Sequence, residues 1–331
     1  MASTTSATTT VVATEATSAS SIASLPSGKP IDSSAPKSTR PPPSLASLLT
    51  AGPYAVDSFL ARLHRCLQTR SGADTVLFFI CYASRFAGAA LEDISRSALR
   101  HAAQNLIALA VKLPPSTTVT FDSAPLVSPA AAIALQLSAR LKALAATLSE
   151  IRTFGRLWGL LGLYFASKNL VKSALAPPAK EGEGNGDGRT RAQARFDTFW
   201  AAAQILALVS FQLNENIVYL ASKKILGVSP ATQGRLGRLS VRSWAAYTFM
   251  ELARLLIVRQ RRAAKTGGGE LTAKDAEWRR DWRKDFTRNL SWAPMTYHFS
   301  VENGPLNELG ISALGLYPAI SQMRELWADN A

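Results

Sequence analysis

The chain is short of everything that metal and disulfide chemistry require. Among 331 residues there are two cysteines, Cys66 and Cys81, and three histidines, His64, His101 and His298. Two cysteines build no disulfide framework, and none of these side chains stands at a metal-ligand spacing. Such cysteines read as small buried hydrophobes in a reducing compartment. There is no HExxH, no GxSxG and no Walker loop, since Gly267, Gly268 and Gly269 lack the following Lys-Ser/Thr. His298 and Glu302 stand four apart, within touching distance on one helix, and a lone pair of this kind is usually structural. No catalytic residue, cofactor site or metal ligand is therefore expected, and the chain does not read as an enzyme.

Strand signals and charge are scarce as well. No run alternates apolar and polar residues, and no hairpin dipeptide is flanked by β-branched residues. Charged residues make up 18% of the chain, below the roughly 25% usual for soluble chains. Acids are the scarcer sign: 23 Asp and Glu against 37 Lys and Arg give a net charge of +14. With 47% hydrophobic residues, the chain is apolar and basic together. That combination favours anionic membrane lipids over nucleic acid, where Lys and Arg flank apolar helices. No RNP-like aromatic motif, zinc-finger spacing or basic recognition helix points to nucleic acid.

The first 45 residues lack the apolar core and early positive charge of a secretory signal. Arg40 is their first arginine, which is too few for an organelle transit peptide. Ser, Thr, Ala and Pro dominate residues 1–50, and this segment is expected to be a disordered tail. The chain ends Ala328-Asp329-Asn330-Ala331, unlike the Ser-Lys-Leu address.

What the chain has is helical periodicity. Residues 51–176 read as an amphipathic helical region, 177–195 as a flexible charged linker, and 196–331 as a membrane-embedded helical region. In the first region Val56, Phe59, Leu60, Leu63 and Leu67 share one helix face. Arg62 and Arg65 lie off it. After a break at Ser71-Gly72, an apolar run follows that is too short to span comfortably, given the ~20 residues a span needs. It reads as a helix lying in the membrane interface or buried in a bundle. Val76, Phe79, Ile80, Ala83, Arg85 and Phe86 are its membrane-inserting candidates.

Residues 114–130 read as a Pro-rich loop. Leu137, Leu141, Leu144 and Leu148 start a second stripe, continued by Ile151, Phe154, Leu157, Trp158 and Leu161, with Arg152 and Arg156 on the other side. Gly155 and Gly159 are spaced for close helix approach.

Two segments, 199–221 and 306–327, are candidate transmembrane helices. A buried bundle helix is the alternative for the first, given Gln204, Gln212 and Asn214. The second carries a small-residue face (Gly310, Gly315 and Ala319) suited to helix packing, and Pro318 would kink it. Val241–Val258 is apolar but interrupted by Glu251 and Arg254, which could pair. Trp278 and Trp282 beside basic residues suit either a membrane boundary or a solvated helix. The fold class expected is an all-α, membrane-associated bundle with amphipathic N-terminal helices and about two transmembrane helices.

Four blocks, in order, resemble the peroxin-11 family. The segment 72–91 carries Tyr82-Ala83-Ser84-Arg85, similar to that family's Tyr-x-Ser-Arg core. In 148–161, Arg152, Arg156 and Leu157 match its Arg-Lys-x-x-Arg-Leu-Gly helix. In 211–228, Asn216, Tyr219, Leu220 and Lys223 match its Phe-Asp-Asn-x-x-Trp-Leu-x-Lys segment, with Glu215 in place of Asp and Tyr219 in place of Trp. Residues 289–327 resemble its ending, from the Pro-x-x-x-His block at His298 to Leu-Trp at Trp327. The tail, the Pro-rich loop and the acidic linker look like insertions, as in divergent gamma/C-type fungal members.

The resemblance implies a peroxisomal membrane protein that shapes and elongates the membrane and promotes peroxisome proliferation and division. It also implies a homo-oligomer that works with a dynamin-related GTPase and a fission adaptor. A peroxisomal membrane-protein chaperone would insert it, reading a site such as 255–262. A peroxisomal channel or metabolite pore, suggested by Gln204, Gln212, Asn214 and Asn216, and a soluble helical scaffold are the alternatives.

Overall fold

The computed structural model describes residues 53–112, 114, 129–175, 191–266 and 273–330. The expected tail, most of the Pro-rich loop, the linker up to residue 190 and the triple glycine at 267–269 lie outside the described residues. Among the described residues there is no strand. The helices are α1 (Pro53–Leu67), α2 (Arg70–Lys112), α3 (Pro129–Gly155), α4 (Gly159–Leu175), α5 (Arg191–Ser222), α6 (Pro230–Thr266), α7 (Ala273–Ser300) and α8 (Glu308–Asp329). A 3-10 turn, Arg156–Trp158, joins α3 to α4. The protein is an all-α helical bundle of membrane type, as its periodicity and composition lead one to expect.

Local chemistry sets the helix ends. Thr69 Oγ1 accepts from the Gly72 amide at 3.0 Å, so α2 starts before Ser71-Gly72 and the expected break falls one turn earlier. The first helical residue of α6 is Pro230, where its missing amide costs nothing. Ahead of it, Ser229 Oγ accepts from the Thr232 amide at 3.3 Å. At the end of α5, Lys224 takes φ 61°. That left-handed residue lets the Ile225 amide bond back to the Leu220 carbonyl at 3.0 Å. Asn307 caps α8 by accepting from the Gly310 amide at 2.8 Å. Helix α5 already begins at Arg191, so the last residues assigned to the linker are helical.

The core is a chain of aromatic rings crossing four helices. Phe78 of α2 stacks on Trp292 of α7 at 5.9 Å, and Tyr82 meets Phe78 edge-on at 5.2 Å. Trp292 packs on Trp244 of α6 at 5.5 Å, and Trp244 on Phe211 of α5 at 6.1 Å. Ala145 and Leu148 of α3, Met295 of α7, and Ile311 and Ala319 of α8 complete the cluster. Cys66 and Cys81 are free and buried. Cys81 Sγ donates to the Ala145 carbonyl at 3.3 Å, across the α2–α3 contact.

Three stretches are long and apolar enough to cross a membrane: Arg70–Ala108, Pro129–Lys172 and Gln193–Ser222. The third coincides with the expected span at 199–221. The first two fall in the region 51–176, expected to be amphipathic and not spanning. The early apolar run is not a short isolated helix, because α2 continues unbroken for 43 residues, about 65 Å at 1.5 Å per residue. The helix expected at 306–327 forms as α8 but is not among the three. Its Ser312 and Ala319 are fully buried against protein.

Candidate membrane face and the polar core beneath it

The long helices are arranged with their apolar side chains outward and several polar ones inward. On α3, the 3-10 turn and α4 the exposed side chains include Leu137, Leu144, Ile151, Trp158 and Phe165, each seven residues from the next. Phe154 and Leu161 widen the same stripe. The periodicity is the one read from the sequence, and Arg152 and Arg156 lie opposite the stripe, facing the interior at 3% and 8% exposure; Leu148 of the stripe is also buried, in the core. Helix α5 repeats the pattern. Phe199 and Leu206 are 70% and 71% exposed, while Gln204, Gln212, Asn214, Glu215 and Asn216 are buried. In water the opposite placement is favoured, since burying polar groups and exposing large apolar ones both cost free energy. In lipid the outward apolar sheath costs nothing and the polar groups find partners inside.

Those partners are present. Arg156 donates from Nε and Nη2 to both Glu215 carboxylate oxygens, at 3.1 and 3.0 Å, and from Nη2 to Thr153 Oγ1. Gln212 Nε2 donates to Asn216 Oδ1 at 2.8 Å, and Asn216 Nδ2 to the Leu157 carbonyl at 3.2 Å. Asn214 Nδ2 donates to the Ser210 carbonyl, and Gln204 Nε2 to Glu251 Oε2. Glu251 also takes Arg254, its neighbour one turn on, as the spacing suggests. Arg152 forks onto Asp74 of α2 at 2.9 and 3.2 Å and lies over the Phe78 ring. Arg85 forks onto Glu308 at the start of α8, at 2.6 and 3.0 Å.

The membrane-inserting candidates on α2 divide between two faces. Val76 and Arg85 turn into the bundle, Phe79, Ala83 and Phe86 are half-buried, and Ile80 is exposed. Any outward surface on this stretch is Phe79, Ile80, Ala83 and Phe86, without a cation. Ser84 is buried beside them. On α1, Val56, Leu60 and Leu67 face outward. Arg62 donates to the Trp327 carbonyl and stacks on its indole, tying α1 to the end of α8.

The small residues also sort themselves. A Cβ at Gly315 would collide with the Tyr82 ring, and one at Gly159 would meet Gln212 Oε1 at 2.8 Å, so both glycines permit close approach. Ala319 is wholly buried in the core. Gly155 has nothing within 4 Å, and Gly310 touches its own cap, Asn307, so neither packs one helix on another. The spacing of 155 and 159 is right for a packed pair, but the 3-10 turn between them rotates Gly155 off the contact. A close approach the sequence reading missed is Gly88. There Ser138 Oγ donates to its carbonyl at 2.6 Å and the α3 backbone lies against it. A glycine facing a serine on the partner helix was the available signal.

Tyr219 is buried, with Lys223 4 residues on over its ring and paired to Glu150. Trp278 and Trp282 stack at 6.5 Å and carry Arg262 and Arg259 on their faces.

His298 organises the turn between α7 and α8. Its Nδ1 accepts from the Leu306 amide at 3.1 Å, which requires an unprotonated Nδ1, and its ring packs on Gly304. Glu302 is in the turn and not on the helix with it. Burial lowers the imidazole pKa, the nearby Arg85 lowers it further, and Glu308 opposes weakly. Glu308 itself is raised by burial, but the hydrogen bond and charge of Arg85 outweigh that and its pKa is lowered. A lowered folded-state value means the unfolded chain binds the proton first, from about pH 6.5. Stability from this group is complete above that pH and declines as the pH falls through it. Thermal unfolding in detergent between pH 8 and pH 5 should show this decline, and His298→Asn should flatten it.

No family model matches the chain, and no solved structure matches it. Over 119 residues it is 28% identical to an uncharacterized protein of Schizosaccharomyces pombe. The match takes in 36% of this chain and 54% of that protein, so the chain spans about half the length of this relative.

Proposed function

We propose that this chain is a peroxisomal membrane protein of the peroxin-11 type, which shapes and elongates the membrane and promotes peroxisome proliferation and division. One observation carries the reading: the segments that resemble the family contact one another across the bundle. Arg85 and Tyr82 of the first block touch Glu308 and Gly315 of the last. Arg156 and Glu150 of the second touch Glu215 and Lys223 of the third. Residues of the four segments, far apart in sequence, thus meet in one bundle, each matched Tyr82, Arg85, Arg156 or Lys223 against a residue of another segment.

The apolar sheath on α3–α5 supports the membrane part of the proposal. Outward apolar residues on α1 and α2 suit shallow insertion into one leaflet, which adds area on one side and bends the bilayer. With few cations on those faces, the insertion is driven by apolar contact. The same reading supplies lipids, further copies of the chain, a dynamin-related GTPase and a fission adaptor as partners. It also supplies a peroxisomal membrane-protein chaperone. Leu255 is buried in the folded chain, so a chaperone reading 255–262 would act before folding.

The pore alternative has less support. Gln204, Gln212, Asn214 and Asn216 direct their hydrogen bonds to protein partners within the bundle. A soluble scaffold is disfavoured by the extent of exposed apolar surface.

The tests are extraction and localisation. The chain should stay in the pellet through alkaline carbonate, a tagged form should lie on peroxisomes, and its deletion should change their number and size. Release by carbonate would sink the membrane reading. Membrane retention elsewhere, with peroxisomes unchanged, would sink the peroxin-11 reading alone.

A further inference from the structure

Between α2 and α3 lies a half-open cleft of about 590 Å³, closed at one end by the start of α8. That volume is in the range of small-ligand sites. One wall is apolar, with Tyr82 and Ala145, and the rest is strongly charged. Five cations line it, Arg85, Arg96, Arg100, Lys142 and Arg152, against the carboxylates of Glu92, Asp93 and Glu308.

The pairing within the cleft is uneven. Arg85 and Arg152 are held by forked bonds to Glu308 and Asp74, deep in the bundle. Glu92 is shared by Lys142 from α3 and Arg96 from α2. Arg96 remains 61% exposed at the rim, and Arg100, one turn further, is exposed without an ion pair among the described residues. An exposed guanidinium paired to Glu92, a second exposed guanidinium and a shared ammonium thus border a space that has an apolar wall. The amide end of α8 adds positive potential at its closed end.

The place along α2 narrows the ligand. From Val76 to Ala90 the helix is apolar except for Ser84 and Arg85; from Glu92 it is charged. The cleft straddles that change, lined from Cys81 and Tyr82 to Arg96 and Arg100, and such a change marks where an apolar helix leaves lipid for headgroups. We propose that this cleft binds a phosphate monoester, with Arg96 and Arg100 forking onto its oxygens, Lys142 as a third contact and the Tyr82 wall against its carbon skeleton. The geometry favours a lipid headgroup as the source of that phosphate. The inference does not depend on the peroxin-11 reading.

Binding of short-chain phosphatidate, short-chain phosphatidylcholine and sn-glycerol 3-phosphate to the full-length protein in detergent tests this. Saturable binding of phosphatidate, and not of phosphatidylcholine, is expected, and Arg96→Gln/Arg100→Gln should weaken it at least about tenfold. Both residues are at the rim, so an unchanged thermal midpoint should accompany the loss. Phosphatidate alone binding identifies a lipid phosphate; equal binding of sn-glycerol 3-phosphate identifies a soluble one, and either supports the site. Absence of saturable binding to both would overturn it. So would an equal loss in Arg279→Gln/Arg280→Gln on the exposed face of α7, which would mark general charge attraction.

Discussion

Arg156→Ala should be among the most destabilising single substitutions, costing about 3–5 kcal/mol in detergent. Both members of the Arg156–Glu215 pair are about nine-tenths buried. Removing the guanidinium leaves the buried carboxylate with one long contact, Gln212 Nε2 at 3.4 Å. The cost arises from the stranded charge more than from the lost attraction. Replacing both partners, Arg156→Met with Glu215→Met, should therefore be milder than either single change. Arg156→Lys should fall between, because an ammonium keeps the charge but cannot fork onto two oxygens and also reach Thr153. Thermal unfolding of Arg156→Ala, Arg156→Met, Glu215→Met, the double variant and Arg156→Lys gives the order. A loss below about 1 kcal/mol for Arg156→Ala would mean that the pair is solvated in the folded protein.

The same residue shows how much of the fold was legible in the sequence. Helical period, the approximate helix positions and the apolar stripe of α3 and α4 follow from spacing alone. Which side of the stripe faces the interior does not follow from spacing. A period of 3.6 locates a face but not its neighbours. In water the apolar face turns inward by default, and for Arg152 and Arg156 that default points the wrong way. The deciding fact is the presence of acids on distant helices, Asp74 and Glu215, and pairing over 59 or 78 residues leaves no local trace. Gly315 and Gly155 make the same point. Both are glycines in a small-residue pattern, but only one has an aromatic ring from another helix against it. The start of α2 was misplaced by about one turn because a Ser-Gly pair ends many helices, whereas here Thr69 makes it a first turn. The residues of the proposed phosphate cleft were visible only as scattered charges on α2 and α3. Their convergence depends on the α2–α3 register, fixed by Ser138 at Gly88 and by Lys142 at Glu92.

The second large effect is expected on the outside of the bundle, and its sign separates lipid from water. Phe199 and Leu206 lie seven residues apart on α5 and expose about 70% of their surface. In a water-soluble protein, replacing such exposed apolar residues by lysine changes stability by roughly ±0.5 kcal/mol and helps solubility. At the centre of a membrane span, where Leu206 stands in Gln193–Ser222, a lysine costs about 2.5–3.5 kcal/mol, and nearer the end, at Phe199, it costs less. Phe199→Lys/Leu206→Lys should therefore lose most of its carbonate-resistant, membrane-integrated fraction. Its thermal midpoint in detergent should change little, because neither side chain supports the core. Ile225→Lys, in the turn after α5 and equally open at 67% exposure, serves as the comparison and should leave integration intact. Full integration of the double variant would move the sheath out of the lipid. The stripe of Leu144, Ile151 and Trp158 would then need a protein surface to cover it, because that much apolar area does not stay in water.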